Sequence, residues 1–352
     1  MIEPGLHLAL SRDGYEQIDA PNISRLKHLR RSPAHARHAL LHPEPPTQAQ
    51  ELGQAVHLAV LERDRWGHEY IAAPPCDRRT KEGKAIWADL EARAEGRTIL
   101  REAEYELCAD LAGAVWSHPV AAEILRGKGV NEASLIWREG DGMAKCRLDA
   151  LRMISGRGCA IDLKTTVDAS PKGFAREIAR MDYHAQAGWY TLGLERVFGA
   201  PHRWLWIAVE KEPPYAVAVY ELAHDDLMLG RETALRWLEQ WRACERSGIW
   251  PRVQRRDPVD PAARVGAGER TLHGGLKPCR RLLSLHPRAP WSRSVTAASS
   301  CARWMTSTDS HVLWLRQAWP RAAWSQRRKS WSQCRPGWRL ASRRCARSHP
   351  WS

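Results

Sequence analysis

What the chain lacks narrows the reading first. Its nine cysteines are an odd number with no Cys-x-x-Cys pair, which fits neither a disulfide framework nor a paired-cysteine zinc site and points to a reducing, cytoplasmic setting. No apolar run approaches the ~20 residues that span a bilayer, so no membrane partner is expected. The N-terminus, Met-Ile-Glu-Pro-Gly-Leu-His, has no basic segment followed by an apolar stretch, and reads as no secretory signal. The C-terminal stretch is the poorest: residues 251–352 contain no Ile, Phe, Tyr or Asn.

Acids are scarce there too. Residues 251–352 carry 21 Lys and Arg against 4 Asp and Glu, a net of +17, whereas residues 1–250 carry 33 against 36, a net of −3. The formal charge of +14 therefore belongs to the tail, and any contact of residues 1–250 with nucleic acid must be local. The tail has eight Trp and runs such as Trp331-Ser332-Gln333-Cys334-Arg335, without a sustained helical or strand period. Three readings stay open for it: a basic, aromatic arm that binds phosphates and stacks on bases, an extension without a role, and an out-of-frame product of a GC-rich gene. The last is preferred, because the codons of the absent residues are AT-rich. The chain thus divides into a domain at 1–251 and a disordered or frameshifted tail at 252–352.

Within the domain, helical and alternating periods follow in order. Asn22 or Ser24 caps a helix through Leu29 that breaks at Arg30–His35, and Thr47 with Gln50 forms a capping box for a helix to about Arg63. The loop Pro74–Thr80 leads into a helix to about Ala94, and helical patterns recur at Glu102–Trp116 and Val120–Arg126. The period then changes: Ala133–Trp137 is a strand, followed by a hairpin, helices at Pro171–Arg180 and Tyr183–Phe198, strands at His202–Glu210 and Tyr215–Glu221, and a helix at Asp225–Glu245. This order reads as one α/β domain with a mixed sheet covered by helices, preceded by an N-terminal helical part.

The hairpin Cys146–Thr166 is the centre of the reading. Its strands place Lys145, Arg147 and Asp149 on one face, and Asp162 with Lys164 on one face of the next strand. A two-residue turn at Ser155-Gly156 sets Asp149 directly opposite Asp162, with Cβ atoms roughly 5 Å apart, and two such carboxylates repel unless something positive lies between them. A divalent cation with oxygen ligands is the natural candidate. His57 lies at the margin of the stripe Leu52, Val56, Ala59 and Val60, one turn above Gly53, whose missing side chain would let another element approach. Taken alone, His57 reads as a boundary histidine, and Gln186 with Tyr190 as one face of a packed helix.

Collected in order, these residues resemble the PD-(D/E)xK nuclease superfamily, and more closely the nuclease domain of exodeoxyribonuclease VIII (RecE-type). The resemblance runs from about Gly14 to Pro251 through Ser32-Pro33-Ala34-His35, Gly53–His57, Arg79-Thr80 to Lys84, Glu132–Trp137, Arg147-Leu148-Asp149, Ile161–Thr166 and Gln186 to Tyr190. It implies a restriction-endonuclease-like mixed central β-sheet flanked by helices. It further implies a Mg²⁺-dependent exonuclease, with Mn²⁺ as a substitute, acting 5′ to 3′ on double-stranded DNA from a homo-oligomer and feeding a single-strand annealing recombinase in prophage recombination. Carried onto this chain, it makes His57, Asp149 and Asp162 metal ligands, gives Lys164 the nucleophilic water, lets Glu132, Gln186 and Tyr190 line the site, and assigns Arg79 and Lys84 to DNA. Leu148 departs from the proline the family often has there, which removes no ligand. Two rivals are an iron–sulfur relative, which needs four clustered cysteines, and a catalytically silent DNA-binding or assembly protein that retains the fold.

Overall fold

The computed structural model of the protein describes residues 2–252 and 276–278, and two sheets organise them. The chain starts with the edge strand β1 (Gly5–His7), helices α1 (Arg12–Glu16) and α2 (Ile23–Leu26), a 3-10 turn (Lys27–Arg30) and α3 (Pro33–Leu41). Helices α4 (Gln48–Leu61) and α5 (Arg63–Glu69) lead into a small unit of two parallel strands, β2 (Tyr70–Ala73) and β3 (Thr98–Arg101), joined by α6 (Lys81–Ala94). Next come α7 (Glu102–Ser117), α8 (Pro119–Arg126) and the meander β4 (Gly129–Glu139), β5 (Gly142–Ile154) and β6 (Arg157–Thr166). Helices α9 (Pro171–Arg180) and α10 (Tyr183–Phe198), strands β7 (Arg203–Glu210) and β8 (Val217–Leu222), α11 (His224–Ser247) and β9 (Leu276–Pro278) complete it.

The main sheet runs β1-β4-β5-β6-β7-β8-β9, antiparallel except for the parallel pair β6 and β7. That pair needs a crossover, which α9 and α10 supply. Along β7 the side chains alternate between two buried cores. Trp204, Trp206 and Ala208 join the core under α9, α10 and α11, while Leu205, Ile207 and Val209 join the core under α4, α7 and α8. This is the expected mixed α/β architecture, with the sheet buried on both faces.

Local chemistry explains most boundaries. The Thr47–Gln50 capping box is formed, Thr80 caps α6, and Ser170 caps α9 with Pro171 at its first position. The helix expected from Asn22 through Leu29 is instead α2 followed by a 3-10 turn, and the expected break is short, because Ser32 caps the new helix α3 at Pro33. Nothing packs closely on Gly53, where an added Cβ would meet no atom within 4 Å, so the expected close approach is absent. Strand β9 lies in the segment assigned to the tail; the rest of 253–352 is outside the described residues.

Candidate active site

Glu132, Asp149 and Asp162 fall in one row across β4, β5 and β6. On β4 and β5, the pairs Asn131↔Ala150 and Ala133↔Leu148 bracket Glu132 and Asp149; on β5 and β6, the last pair is Ala150↔Ile161, one step before Asp149 and Asp162. Both ladders open at this row. Glu132 is left-handed, at φ 48°, a conformation that costs energy in a non-glycine residue and interrupts pairing without shifting the register. Beyond Ile161, the Leu163 amide donates to Asp149 Oδ2 at 2.9 Å, so a carboxylate replaces the partner strand's backbone.

Two of the three acids have a cation of their own. Arg147 Nε lies 3.0 Å from Glu132 Oε2, and its Nη1 reaches Ser134 Oγ and the Leu10 carbonyl. Lys164 Nζ is 2.6 Å from Asp162 Oδ2, while Gln186 Nε2 donates to Asp162 Oδ1 at 2.8 Å. Burial works against a charged Lys164, but Asp162 and Asp149 more than offset it and raise its pKa, keeping the ammonium charged.

Asp149 is served differently. His57, from the end of α4 that overhangs β6, has Nε2 2.8 Å from the Leu163 carbonyl and Nδ1 3.4 Å from Asp149 Oδ2. The nitrogen facing a carbonyl must carry the proton, which leaves the Nδ1 lone pair aimed at the carboxylate. Burial lowers the His57 pKa and keeps the ring neutral. A lone pair and a carboxylate so placed repel unless a proton or a cation lies between them.

The donor atoms of His57, Glu132 and Asp149 all lie within 4.8 Å of one another, the one such group among the described residues. Burial, and then the charge of Asp162, push Asp149 up to about 7, and burial with the charge of Asp149 raises Glu132. One imidazole and two carboxylates form a donor set that suits a hard divalent cation, which would take the place of the bound proton. Glu132, expected to line the site, thus stands among the donors. Asp162, expected as a ligand, is adjacent, with both oxygens engaged by Lys164 and Gln186.

Glu132 and Asp149 open onto a cleft of about 680 Å³ walled by the N-terminal segment around Ser11 and Tyr15, by α4 and by Tyr190. The Tyr190 ring stands edge-on to Trp204 at 5.6 Å, and burial raises its phenol well above the ordinary value, so it stays protonated. Arg79 and Lys84 are not in this cleft. Arg79 is tied to Asp77 in the loop before α6, beside Arg78, which lies 3.8 Å from the Trp87 ring, and Lys84 is exposed on α6. Sequence reasoning missed the bridging role of Arg147, although it had put that residue on the Asp149 face. It had no signal for the cleft residues Arg12 and Arg65, which tertiary folding brings there. The five cysteines among the described residues form no disulfide with one another and are scattered, with Cys146 and Cys159 buried in the hairpin. None of the described helices is long and apolar enough to cross a membrane.

Comparison with known proteins fits this arrangement. No curated protein matches the sequence. Among solved structures, a candidate exonuclease from Eubacterium rectale superposes with a TM-score of 0.50 at 11% identity, covering 74% of this chain and 94% of that one, and so shares the fold. A Vibrio cholerae protein, VC1899, reaches a TM-score of only 0.19 at 12% identity over 64% of this chain and 58% of its own. A family described as a PDDEXK-like domain of unknown function matches residues 22–254, which takes in every acid of the row, His57 and Lys164. The chain is therefore a member of that family, DUF3799, and carries the fold of the PD-(D/E)xK nuclease superfamily.

Proposed function

We propose that the protein is a metal-dependent exodeoxyribonuclease of the exodeoxyribonuclease VIII type, hydrolysing phosphodiester bonds of linear double-stranded DNA from 5′ to 3′. The observation that carries this reading is the convergence of the His57 Nδ1 lone pair and the Asp149 and Glu132 carboxylates on one point beside the Lys164–Asp162 pair. Mg²⁺, or Mn²⁺ in its place, held there would neutralise charge on the scissile phosphate and favour hydroxide over water. Asp162, beside this group, would be a further carboxylate available to the ion, with Gln186 holding its other oxygen in orientation. The Lys164 ammonium, kept charged by the two Asp residues, orients the attacking water in line with the leaving oxygen. Tyr190, protonated, donates to a phosphate oxygen from the cleft wall. Arg79 and Lys84 supply sequence-independent phosphate contacts outside the cleft. Work from DNA ends in the cytoplasm, as a homo-oligomer passing single strands to an annealing recombinase, completes the reading.

The test is degradation of an end-labelled linear duplex. Wild type should digest it with Mg²⁺, EDTA should stop the reaction, and a closed circular duplex should stay intact. Asp162→Ala and Lys164→Ala should each lose roughly 100-fold or more in rate. Equal digestion by wild type and both variants overturns the assigned site, whereas an inactive but folded wild type favours a silent, DNA-binding role.

A further inference from the structure

A second lysine stands beside the site without an anion of its own. Lys27, first residue of the 3-10 turn, places Nζ 5.3 Å from the centroid of the Tyr183 ring, and Lys164 Nζ lies 4.9 Å from the same centroid. The nearby acids are taken. Asp162 is held by Lys164 and Gln186, and Asp182 by Arg30 Nη1 at 2.9 Å. Arg30 also donates to the Arg180 carbonyl, so the turn carrying Lys27 is fastened to the corner between α9 and α10. Among the described residues the Lys27 side chain makes no ion pair and no hydrogen bond; it contacts the Tyr183 ring and feels Asp162 and Asp182 only as more distant charges already committed to Lys164 and Arg30.

A partly buried ammonium without a counter-anion is costly, and evolution could have spared that cost with any neutral side chain of similar length. Burial, and then the charge of Lys164, lower its pKa to about 8, so it still carries its proton at neutral pH. Lys164 is neutralised by Asp162; Lys27 is the cation left over. We propose that Lys27 is a phosphate-contacting residue, whose ammonium binds a non-bridging oxygen of the cleaved strand beside the Lys164–Asp162 pair. This rests on the nuclease reading above and adds a residue to it. The Tyr183 ring then acts as a spacer that keeps the two ammoniums apart and directs both toward one strand.

The test uses the full chain with Lys27→Met, which keeps the packing of the stem, and Lys27→Arg, which keeps the charge. Steady-state digestion of an end-labelled duplex with Mg²⁺ should show KM raised roughly 10-fold or more in Lys27→Met, with kcat changed much less. Anisotropy of a labelled duplex with EDTA in place of Mg²⁺ should show the slope of log affinity against log salt reduced by about 1 in Lys27→Met. Lys27→Arg should restore both. Wild-type KM and salt slope in Lys27→Met overturn the inference, as does a loss that Lys27→Arg fails to recover. Because the salt slope needs no cleavage, a wild type that binds but does not digest refutes the nuclease reading and still decides Lys27. A wild type that does neither refutes both.

Discussion

Asp149 receives a peptide N–H on one oxygen, and the same oxygen faces a histidine lone pair, an arrangement that favours a bound proton or a bound cation. Its carboxyl is pushed up to about 7, first by burial and then by Asp162, against an ordinary value of about 4 in an unfolded chain. Between those values the metal-free folded protein holds a proton that the unfolded chain has released. Stability without metal should therefore fall as pH rises from about 4 to 7, by at most about 1.4 kcal/mol per pH unit from this group. His57, kept neutral by burial, contributes with the opposite sign below its ordinary value, so the quantity to measure is the difference between wild type and Asp149→Asn. Denaturant melts in EDTA at pH 5 and pH 7.5 should show that difference, and a wild type whose pH dependence equals that of Asp149→Asn would remove the raised carboxyl from the account. A cation competes with the same proton. Mg²⁺ or Mn²⁺ affinity should climb with pH up to about 7 and then level, with proton release visible by calorimetry in buffers of different ionisation heat.

At the scale of elements, the site depends on strands that stop pairing where the acids sit and on an N-terminal segment that forms the cleft wall. That segment is held by Lys145, fully buried on β5, whose Nζ donates to the carbonyls of Tyr15 at 2.7 Å and Ile18 at 2.9 Å and lies 4.4 Å from the Tyr15 ring centroid. Lys145→Met leaves those carbonyls buried without a donor, at a cost of about 3 kcal/mol. The expected outcome is a lower unfolding midpoint with a raised KM, although Lys145 itself does not line the cleft and acts only through Tyr15 and its neighbours; an unchanged midpoint would show that the carbonyls find other donors. Much of this layer was legible in sequence. The Ser155-Gly156 turn has both residues at positive φ, 51° and 76°, and fixes the Ala150↔Ile161 register that brings Asp149 next to Asp162. Helices α9 and α10 begin and end where their periods put them. The three-residue β1 and the parallel pair β2 and β3 were not legible, because strands so short carry no period and owe their existence to partners distant in sequence. The burial of Lys145, the left-handed Glu132 and the grouping of Glu132 with His57 were hidden for the same reason. A lysine alternating with Arg147 and Asp149 looks like a solvated face until the segment from Tyr15 to Ile18 covers it.

Over the whole molecule, charge and fold part company near Pro251. The described domain closes there: Trp250 stacks edge-on against Trp241 at 5.2 Å, and the Ala34 amide donates to the Pro251 carbonyl at 3.0 Å, so the chain is stitched back onto α3 as it leaves α11. Beyond that point, the three residues of β9 pair with β8 and form the last strand of the sheet. Under the proposed function, the −3 of residues 1–250 leaves the holding of a DNA end to a few placed cations, with Lys27, Arg79 and Lys84 the ones proposed, while the +17 of the remainder is free either to add a second, unspecific attraction or to add nothing. These alternatives differ in salt dependence. A chain ending after Arg252 should unfold cooperatively, keep Mg²⁺-dependent digestion of linear duplex, and bind it with a salt slope within about 1 of the full chain, since each phosphate contact contributes roughly 0.9 to that slope. A slope smaller by several units in the shortened chain would instead make 253–352 a genuine binding arm. Loss of cooperative unfolding would place part of the fold's support in that segment, with the β8 edge, left unpaired, as the first place to look.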